Sequence, residues 1–405
     1  MSTKYKRGSF QLMKSMNRST ILNMIREEGP ISRADIAKET KLTPPTVSNI
    51  VKELISTQFV VETTQGMSKG GRKPTLLEIN AEQFFTIGVD VGTTQMKFVI
   101  TNLFGEIREF TTLEIPPYPA HEDILSIMKQ GIHHLIKTNK ESFDKFLGIG
   151  VGMHGIVDPE EGRSLFAPAF QLNDIPIKEV LESEFDMIVK VENDARAMTL
   201  GEYWFGHGND ADNMLGVNVG NGIGAGLMVK GRLFHGEHNL AGEIGHITID
   251  LSGPKCTCGN YGCLQTLAAG PAIAERAKKE LKAGRASLIH DLVDGDFEKV
   301  DGCMVYEAAT QQDAFSIELL NQTGRYLGIG LTNLIHTINP KRMIIGGGVS
   351  GAGRFLMDGI EETIQSRGLT DKAKETSIVL SKLGEHASAI GACVLVLEEF
   401  FIRQD

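Results

Sequence analysis

Cys256, Cys258 and Cys263 crowd into eight residues, and His246 stands ten residues upstream of the first of them. Four soft or borderline ligands within so short a stretch constrain a chain strongly, because one tetrahedral zinc ion would fix three thiolates and an imidazole in space. Gly259 and Gly262 give the loop the freedom to turn its sulfurs toward a common centre. A Cys3His set leaves no position for water, so it reads as a structural site rather than a catalytic one. Loose loop thiols, or a disulfide between two of the three, are the ordinary alternatives. The crowding of three of the chain's five cysteines beside a histidine favours zinc. Cys303 and Cys393 lie in apolar or mixed surroundings and read as small buried residues.

The histidine belongs to Gly242-Glu243-Ile244-Gly245-His246, and the cysteines to Cys-x-Cys-Gly-x-x-Gly-Cys. Together these resemble the signature of the ROK family, which unites bacterial sugar kinases with sugar-responsive transcriptional repressors. Supporting motifs run from about residue 85 to about residue 395. The resemblance implies an α/β, actin-like and ribonuclease-H-like fold of two lobes facing a cleft. A chain of 405 residues exceeds one ordinary core, so more than one domain is expected. The expected division is a winged helix-turn-helix DNA-binding domain with its wing and linker over residues 1–80. A ROK domain, mixed α/β, follows over residues 81–405, with its zinc loop at 246–263.

Charge separates the two parts. Residues 1–80 hold 13 Lys or Arg against 7 Asp or Glu, a net of +6, while the whole chain is −10 and the remainder therefore −16. A basic head on an acidic body points to a polyanion as partner of the head alone. Lys4, Lys6 and Arg7 have no apolar run behind them, so no export signal is read there. No apolar stretch approaches the roughly 20 residues that span a bilayer, so no membrane segment is expected. Clustered reduced cysteines fit a cytoplasmic protein.

Within the head, residues 17–28 read as a helix with Ile21, Leu22 and Ile25 on one face, closed by Gly29-Pro30. Ser32 caps a second helix over 33–40 that buries Ile36 and Ala37. Thr43 caps a third, with Pro44 and Pro45 in the first turn, where missing N–H groups cost little. Its apolar residues Val47, Ile50, Val51 and Leu54 follow helical spacing. Three short helices with a tight turn before the third form a helix-turn-helix, whose third helix would present Thr43, Thr46, Ser48, Asn49 and Lys52 to DNA. Two wing strands are expected at 59–61 and 75–79. Arg72 and Lys73 lie between them, placed for a phosphate or the minor groove. A three-helix module without DNA contact is the bland alternative; the basic balance and the capped third helix weigh against it. ROK repressors carry such a head and ROK kinases lack it.

In the body, Ile87-Gly88-Val89-Asp90-Val91-Gly92 and Leu215-Gly216-Val217-Asn218-Val219-Gly220 share one form and each leads into a second strand. This internal repeat agrees with two similar lobes. In kinases of the implied fold such turns cradle nucleotide phosphates through free backbone N–H groups. The corresponding positions here are Asp90, Gly92 and Thr94 in the first turn, Gly220 and Gly222 in the second, and Gly346, Gly347 and Gly348 in a third. The first turn, Asp90-Val91-Gly92-Thr93-Thr94-Gln95, departs from the Asp-x-Gly-Gly-Thr-Lys of ROK kinases. The second, Gly220-Asn221-Gly222, departs from Gly-Thr-Gly.

The sugar site matches the family better. By resemblance, Asn193 and Asp194 bind sugar hydroxyls, and in the kinases that aspartate is also the general base. An isolated Asn-Asp pair is otherwise most often a helix cap. Glu243 and His246 resemble the next two sugar contacts, so His246 would hold zinc through one ring nitrogen and face the sugar with the other. Gln265 stands where relatives often have a sugar-binding glutamate, and Gly155 lies in a loop that resembles a further sugar contact. Its neighbour His154 reads equally as a ligand contact or a structural histidine. A long apolar pattern over 315–338 suggests core, with a surplus face for a homodimer. The combined reading is a sugar-responsive regulator of the xylose-repressor type. It takes operator DNA and a sugar as partners and structural zinc as cofactor, with Asp194 as a vestige of kinase catalysis. An active ATP-dependent sugar kinase is the competing reading.

Overall fold

The computed structural model describes residues 16–65, 74–139 and 144–401. The chain divides into two compact units, Met1–Glu192 with Ala392–Asp405, and Asn193–Gly391. The segment expected as a separate head therefore shares a unit with the first lobe.

The head forms α1 (Met16–Glu28), β1 (Ile31–Ser32), α2 (Arg33–Thr40), α3 (Pro44–Ser56), β2 (Val60–Gln65) and β3 (Thr75–Ile79). Both expected caps are in place: the Ser32 hydroxyl accepts from the Asp35 amide, and the Thr43 hydroxyl from the Thr46 amide. Ile21, Leu22, Ile25, Ile36, Val47, Val51 and Leu54 are buried, each contributing about 1.5–3 kcal/mol, whereas Ile50 is only half-buried. The three strands pair antiparallel in the order β1-β3-β2, so the wing has one more strand than the sequence suggests. The wing tip, with Arg72 and Lys73, lies outside the described residues.

The rest of this unit is built on β4 (Phe85–Val91), β5 (Gln95–Thr101), β6 (Ile107–Glu114), α4 (His121–Thr138), β7 (Phe146–Met153) and β11 (Ile188–Asn193). A small antiparallel sheet of β8 (Ile156–Asp158), β9 (Arg163–Ala167) and β10 (Leu172–Ile175) intervenes. The main sheet has the order β11-β7-β4-β5-β6. β4 runs antiparallel to β5 and parallel to β7, the crossover being α4. Val89, Val91, Met96 and Phe98 of the hairpin pack with Ile124, Met128, Ile132 and Leu135 of α4 in one core. Gly131 gives the Phe98 ring its place against α4, since a Cβ there would run into the ring.

The second unit repeats the plan. It opens with α5 (Asp194–Phe205), then β12 (Met214–Val219), β13 (Ile223–Val229) and β14 (Arg232–Leu233). Later come α6 (Gly270–Lys282), α7 (Ala314–Ile338), β15 (Arg342–Gly346), α8 (Arg354–Arg367) and β16 (Ser377–Leu380). Its sheet order is β14-β13-β12-β15-β16, with β12 antiparallel to β13 and parallel to β15. That is the first sheet's strand order, with the same sense in its first four strands, so the repeat read in the sequence is a repeat of structure. Where the first unit joins its third and fourth strands through α4, the second inserts residues 234–341, which carry the cysteine loop and several helices.

The expected surplus apolar face on α7 is not there. Leu319, Leu320, Leu327, Leu331, Leu334 and Ile335 are buried within the second unit, and past Ala314 the exposed positions of α7 are Glu318, Gln322, Arg325, Asn333, His336 and Thr337. Glycines let α8 approach closely: a Cβ on Gly359 would strike the Asn321 carbonyl, and one on Gly324 the Leu356 carbonyl. Gly359→Ala is expected to destabilise the protein by about 1–3 kcal/mol through overpacking against backbone. A thermal melt unchanged from the wild type would show that the helix pair adjusts freely.

The last helix, α9 (Ala387–Phe401), passes from one unit to the other at Gly391–Ala392. Its C-terminal end makes a seat for the head. The Phe59 ring stacks on Phe84 at 4.3 Å and meets Phe400 at 6.0 Å, and the Asn23 amide donates to the Phe401 carbonyl at 2.9 Å. No described helix is long and apolar enough to cross a membrane.

Candidate functional site

The cysteine loop is short because it is stitched to itself. The Cys256 amide donates to the Asn260 carbonyl at 2.7 Å and the Gly259 amide to the Cys256 carbonyl at 3.0 Å. Isolated bridges pair Thr248 with Cys263 and Lys255 with Tyr261. Gly259 and Gly262 adopt φ of +96° and +65°, the left-handed turns the sequence required of them.

This folding brings one ligand atom each from His246, Cys256, Cys258 and Cys263 within 4.8 Å of one another. Zinc–sulfur bonds of about 2.3 Å at tetrahedral angles imply S···S edges of about 3.8 Å, and a nitrogen ligand gives slightly shorter ones. Cys258 Sγ and Cys263 Sγ are 3.8 Å apart, and His246 Nδ1 is 3.6 Å from Cys256 Sγ. These two spacings match edges of such a tetrahedron, and the sulfur pair is far too long for a disulfide. Of the two remaining cysteines, Cys393 is buried as expected, whereas Cys303 is exposed. Burial raises the pKa of Cys256, but hydrogen bonds from Cys258, His246 and Gln265 outweigh it and bring the thiol down to about 6. At Cys263 burial and the neighbouring thiols act together and push it up to about 12.

Gln265 donates from Nε2 to Cys256 Sγ at 3.3 Å. Its carbonyl oxygen lies toward Gly245 and Gly222. It thus braces a sulfur, a role the sequence reading did not give it.

Asp194 opens α5. The Asn193 side chain is the helix cap, accepting from the amides of Ala195 and Arg196 at 3.0 and 3.1 Å. The ordinary alternative for this Asn-Asp pair is therefore realised alongside any ligand role. Asn218 of β12 donates to Asp194 Oδ2 at 3.0 Å, and Ser388 donates to the Asp194 carbonyl at 2.7 Å. Glu243 is half-buried. Desolvation raises its pKa above the usual carboxylate range, the charges of His246 and Arg196 oppose that, and the charge of Asp194 adds to it. The second unit thus brings Asp194, Glu243 and His246 into one electrostatic neighbourhood.

A residue that no motif marks, Arg196, acts on the same neighbourhood through its charge. Arg196 is 2% exposed and donates from Nη2 to the carbonyls of Asn239 and Ala241, at 2.6 and 3.0 Å, and from Nε to Ala241 at 3.3 Å. The only signal in the sequence was a charged residue inside the otherwise apolar face of a helix.

Of the glycine turns, Gly220 and Gly348 face open space, and the Gly220 amide donates to the Gly222 carbonyl at 2.9 Å. Gly347, at φ +81°, lies against the Asn218 side chain and the Val219 backbone, and Gly346 against Met198. Asp90, Gly92, Thr94, His154 and Gly155 belong to the first unit. There the Gly92 amide closes the hairpin on the Gln95 carbonyl at 3.0 Å, and the Thr94 carbonyl accepts from Ile115 at 2.8 Å. His154 Nδ1 is 3.2 Å from the Val91 carbonyl and its ring meets Phe170 edge-on at 4.6 Å, the setting of a structural histidine. Gly155 takes φ +88°, and a Cβ there would strike the Phe166 carbonyl.

On the head, Thr43, Asn49 and Lys52 are exposed, while Thr46 and Ser48 are half-buried. The hydroxyls of Thr43 and Thr46 pair at 2.8 Å within the cap, and Asn49 and Lys52 are exposed polar side chains further along α3. Arg18 of α1 anchors α3 from behind through Glu53 at 2.8 Å.

The profile of the ROK family matches residues 86–399, and that of a winged helix-turn-helix DNA-binding domain matches residues 17–61. The xylose repressor of Caldicellulosiruptor bescii is 31% identical over 394 residues, 97% of this chain and 98% of its own. A solved ROK family transcriptional regulator, a homolog of the E. coli MLC protein, superposes with a TM-score of 0.84 at 29% identity, covering 96% of this chain and 97% of that one. A ROK family glucokinase from Streptomyces griseus, solved with glucose and AMPPNP, gives a TM-score of 0.71 at 30% identity and covers 98% of its own length but 77% of this chain. The chain belongs to the ROK family, and it carries the winged helix-turn-helix head of that family's transcriptional regulators.

Proposed function

We propose that the protein represses genes of carbohydrate use by binding an operator through its head, and leaves the operator when a sugar binds in the ROK domain. One observation carries this reading above all: a capped recognition helix with exposed Asn49 and Lys52 is built onto a sugar-kinase fold that keeps Asn193, Asp194, Glu243 and His246. In this reading the sugar lies against these four residues, all of them in the second unit. Gln265 contributes through the metal centre and its carbonyl oxygen. His246 directs Nδ1 to Cys256 Sγ, which supports a reading in which Nε2 meets a sugar hydroxyl. Zinc is the structural cofactor: its place in this reading is to fix that ring, as the outer partners of a metal fix its ligands. The protein acts in the cytoplasm as a homodimer, since two heads on paired half-sites share a twofold axis.

A switch of about a hundredfold requires the sugar to favour the DNA-free state by roughly 3 kcal/mol. Fluorescence anisotropy on DNA from upstream of the protein's own gene, at fixed salt, tests the reading. The panel is xylose, glucose and N-acetylglucosamine, each free and phosphorylated. Release by one of them is the expected result; no specific DNA binding at all would overturn it. Asn49→Ala is expected to weaken the specific site about tenfold or more, because a side chain reading a base edge contributes about 1–3 kcal/mol of discrimination. Lys52→Ala should weaken all DNA alike and flatten the salt dependence. Operator binding undiminished in both variants would remove α3 from the interface.

The same reading makes the ROK domain a sensor without kinase turnover. Asp194 is retained, but its carboxylate already accepts from Asn218, and the turns that hold phosphates in kinases have changed to Thr93-Thr94-Gln95 and Gly220-Asn221-Gly222. ADP release over the same panel, abolished by Asp194→Asn, would overturn this part.

A further inference from the structure

We infer that Arg196 is the positioning residue of the sugar site: it ties down the loop of residues 235–242 so that Glu243 stays beside Asp194, and thereby sets the affinity for the sugar. The inference rests on the sugar-binding reading above and adds to it a residue and a segment. The argument begins from cost. Burying a guanidinium is unfavourable by several kcal/mol unless its charge and donors are satisfied. Arg196 uses its donors on main-chain carbonyls of one loop, Asn239 and Ala241. An apolar side chain would fill the same space at less cost, so what the site takes from Arg196 is its donors, together with a charge that acts on Glu243.

The loop needs such a tie. Gly236, Asn239 and Gly242 take φ of +74°, +57° and +100°, so three left-handed residues fall within seven positions. Leu240, the loop's one large apolar side chain, is 49% exposed, and so is Phe234 just before it, so apolar packing gives the loop little anchorage from inside. At its far end the Gly242 carbonyl accepts from the Ala225 amide at 2.8 Å, and the next residue is Glu243. The clamp and Asp194 share the first turn of α5, which Asn193 caps. One helical turn thus carries a sugar carboxylate and also the group that fixes the loop bearing the other. A flat fork with five donors suits this task, because two carbonyls of a bent loop are reached from one rigid group.

The test compares Arg196→Met, which keeps bulk but removes the donors, with Arg196→Lys, whose ammonium can still donate to both carbonyls. The probe is whichever sugar of the panel the wild-type chain binds, titrated calorimetrically, with zinc content and operator affinity measured on the same preparations. The methionine variant is expected to bind the sugar about 30-fold more weakly and the lysine variant to recover to within about fivefold. Both should keep zinc and hold the operator within about twofold of wild type. If the methionine variant does not fold, the lysine variant carries the test, and sugar binding weakened by more than tenfold in it would overturn the inference. Methionine binding sugar within threefold of wild type would also overturn it, as would equal losses in both variants or losses accompanied by loss of zinc. A wild-type chain that binds no sugar of the panel would overturn the functional reading and this inference together, an outcome distinct from the others.

Discussion

Asp194→Asn is expected to yield a protein that holds its operator and no longer releases it in sugar. The substitution keeps volume and leaves the Asn193 cap of α5 in place. It removes the charge that makes the carboxylate a strong acceptor for sugar hydroxyls, and hydrogen bonds to a charged group contribute about 1.5–3 kcal/mol each. Losing the charge across two such bonds predicts a fall in sugar affinity of about a hundredfold or more. The Asn218 amide, now facing an amide instead of a carboxylate, must find the new side chain's oxygen, which orients that oxygen inward and away from a ligand. Calorimetric titration of the sugar, with anisotropy on the operator in parallel, separates the two affinities. Sugar release unchanged from wild type would take Asp194 out of the site.

The second large effect is expected at the metal centre. Cys263→Ser should abolish stoichiometric zinc and weaken sugar binding more than tenfold, because the loop that orients His246 loses its fixed point. Structural zinc sites in small domains are worth about 10–16 kcal/mol of apparent binding, far more than any single contact in this loop. Despite burial, hydrogen bonds from Cys258, His246 and Gln265 lower the Cys256 pKa, whereas burial and the neighbouring thiols raise that of Cys263 and favour its protonated form, while zinc takes thiolates. Zinc binding must therefore expel the Cys263 proton. Occupancy of the wild-type site should rise with pH and fall on acidification, and adding zinc to metal-free protein in weak buffer should release acid. Metal content by mass spectrometry and proton release by pH-stat check the two halves. A serine variant that retained a full complement of zinc would refute the assignment.

What the sequence made legible was whatever is local. The four metal ligands fall within eighteen residues, the head's helices announce themselves through Ser32, Thr43 and Pro44, and the two strand-turn-strand repeats share a pattern that a short window captures. What it hid depends on distant partners. Arg196 reads as an oddly placed charge until the carbonyls 43 and 45 residues away are brought to it. Gln265 reads as a sugar contact alone, and its second partner shows only when the loop closes and places Cys256 beside its amide. The apolar stripe of α7 reads as surplus until Gly324 and Gly359 admit α8 against it. The wing's third strand, β1, is two residues long and has no periodicity to detect. The division of the chain at 192/193 and 391/392 was illegible because no linker composition marks it; β11 and α9 simply run through.

The seat of the head has a consequence for how the protein comes into being. Asn23 and the Phe401 carbonyl that it holds are 378 residues apart. At about 5–20 residues per second of synthesis, the helices of the head emerge roughly 20 to 75 seconds before the helix end they rest on exists. During that interval the Phe59 ring has no Phe400 to meet, and the newborn head is a small basic module carrying an uncovered aromatic side. Its window for mispairing with another nascent chain closes only when translation has reached α9.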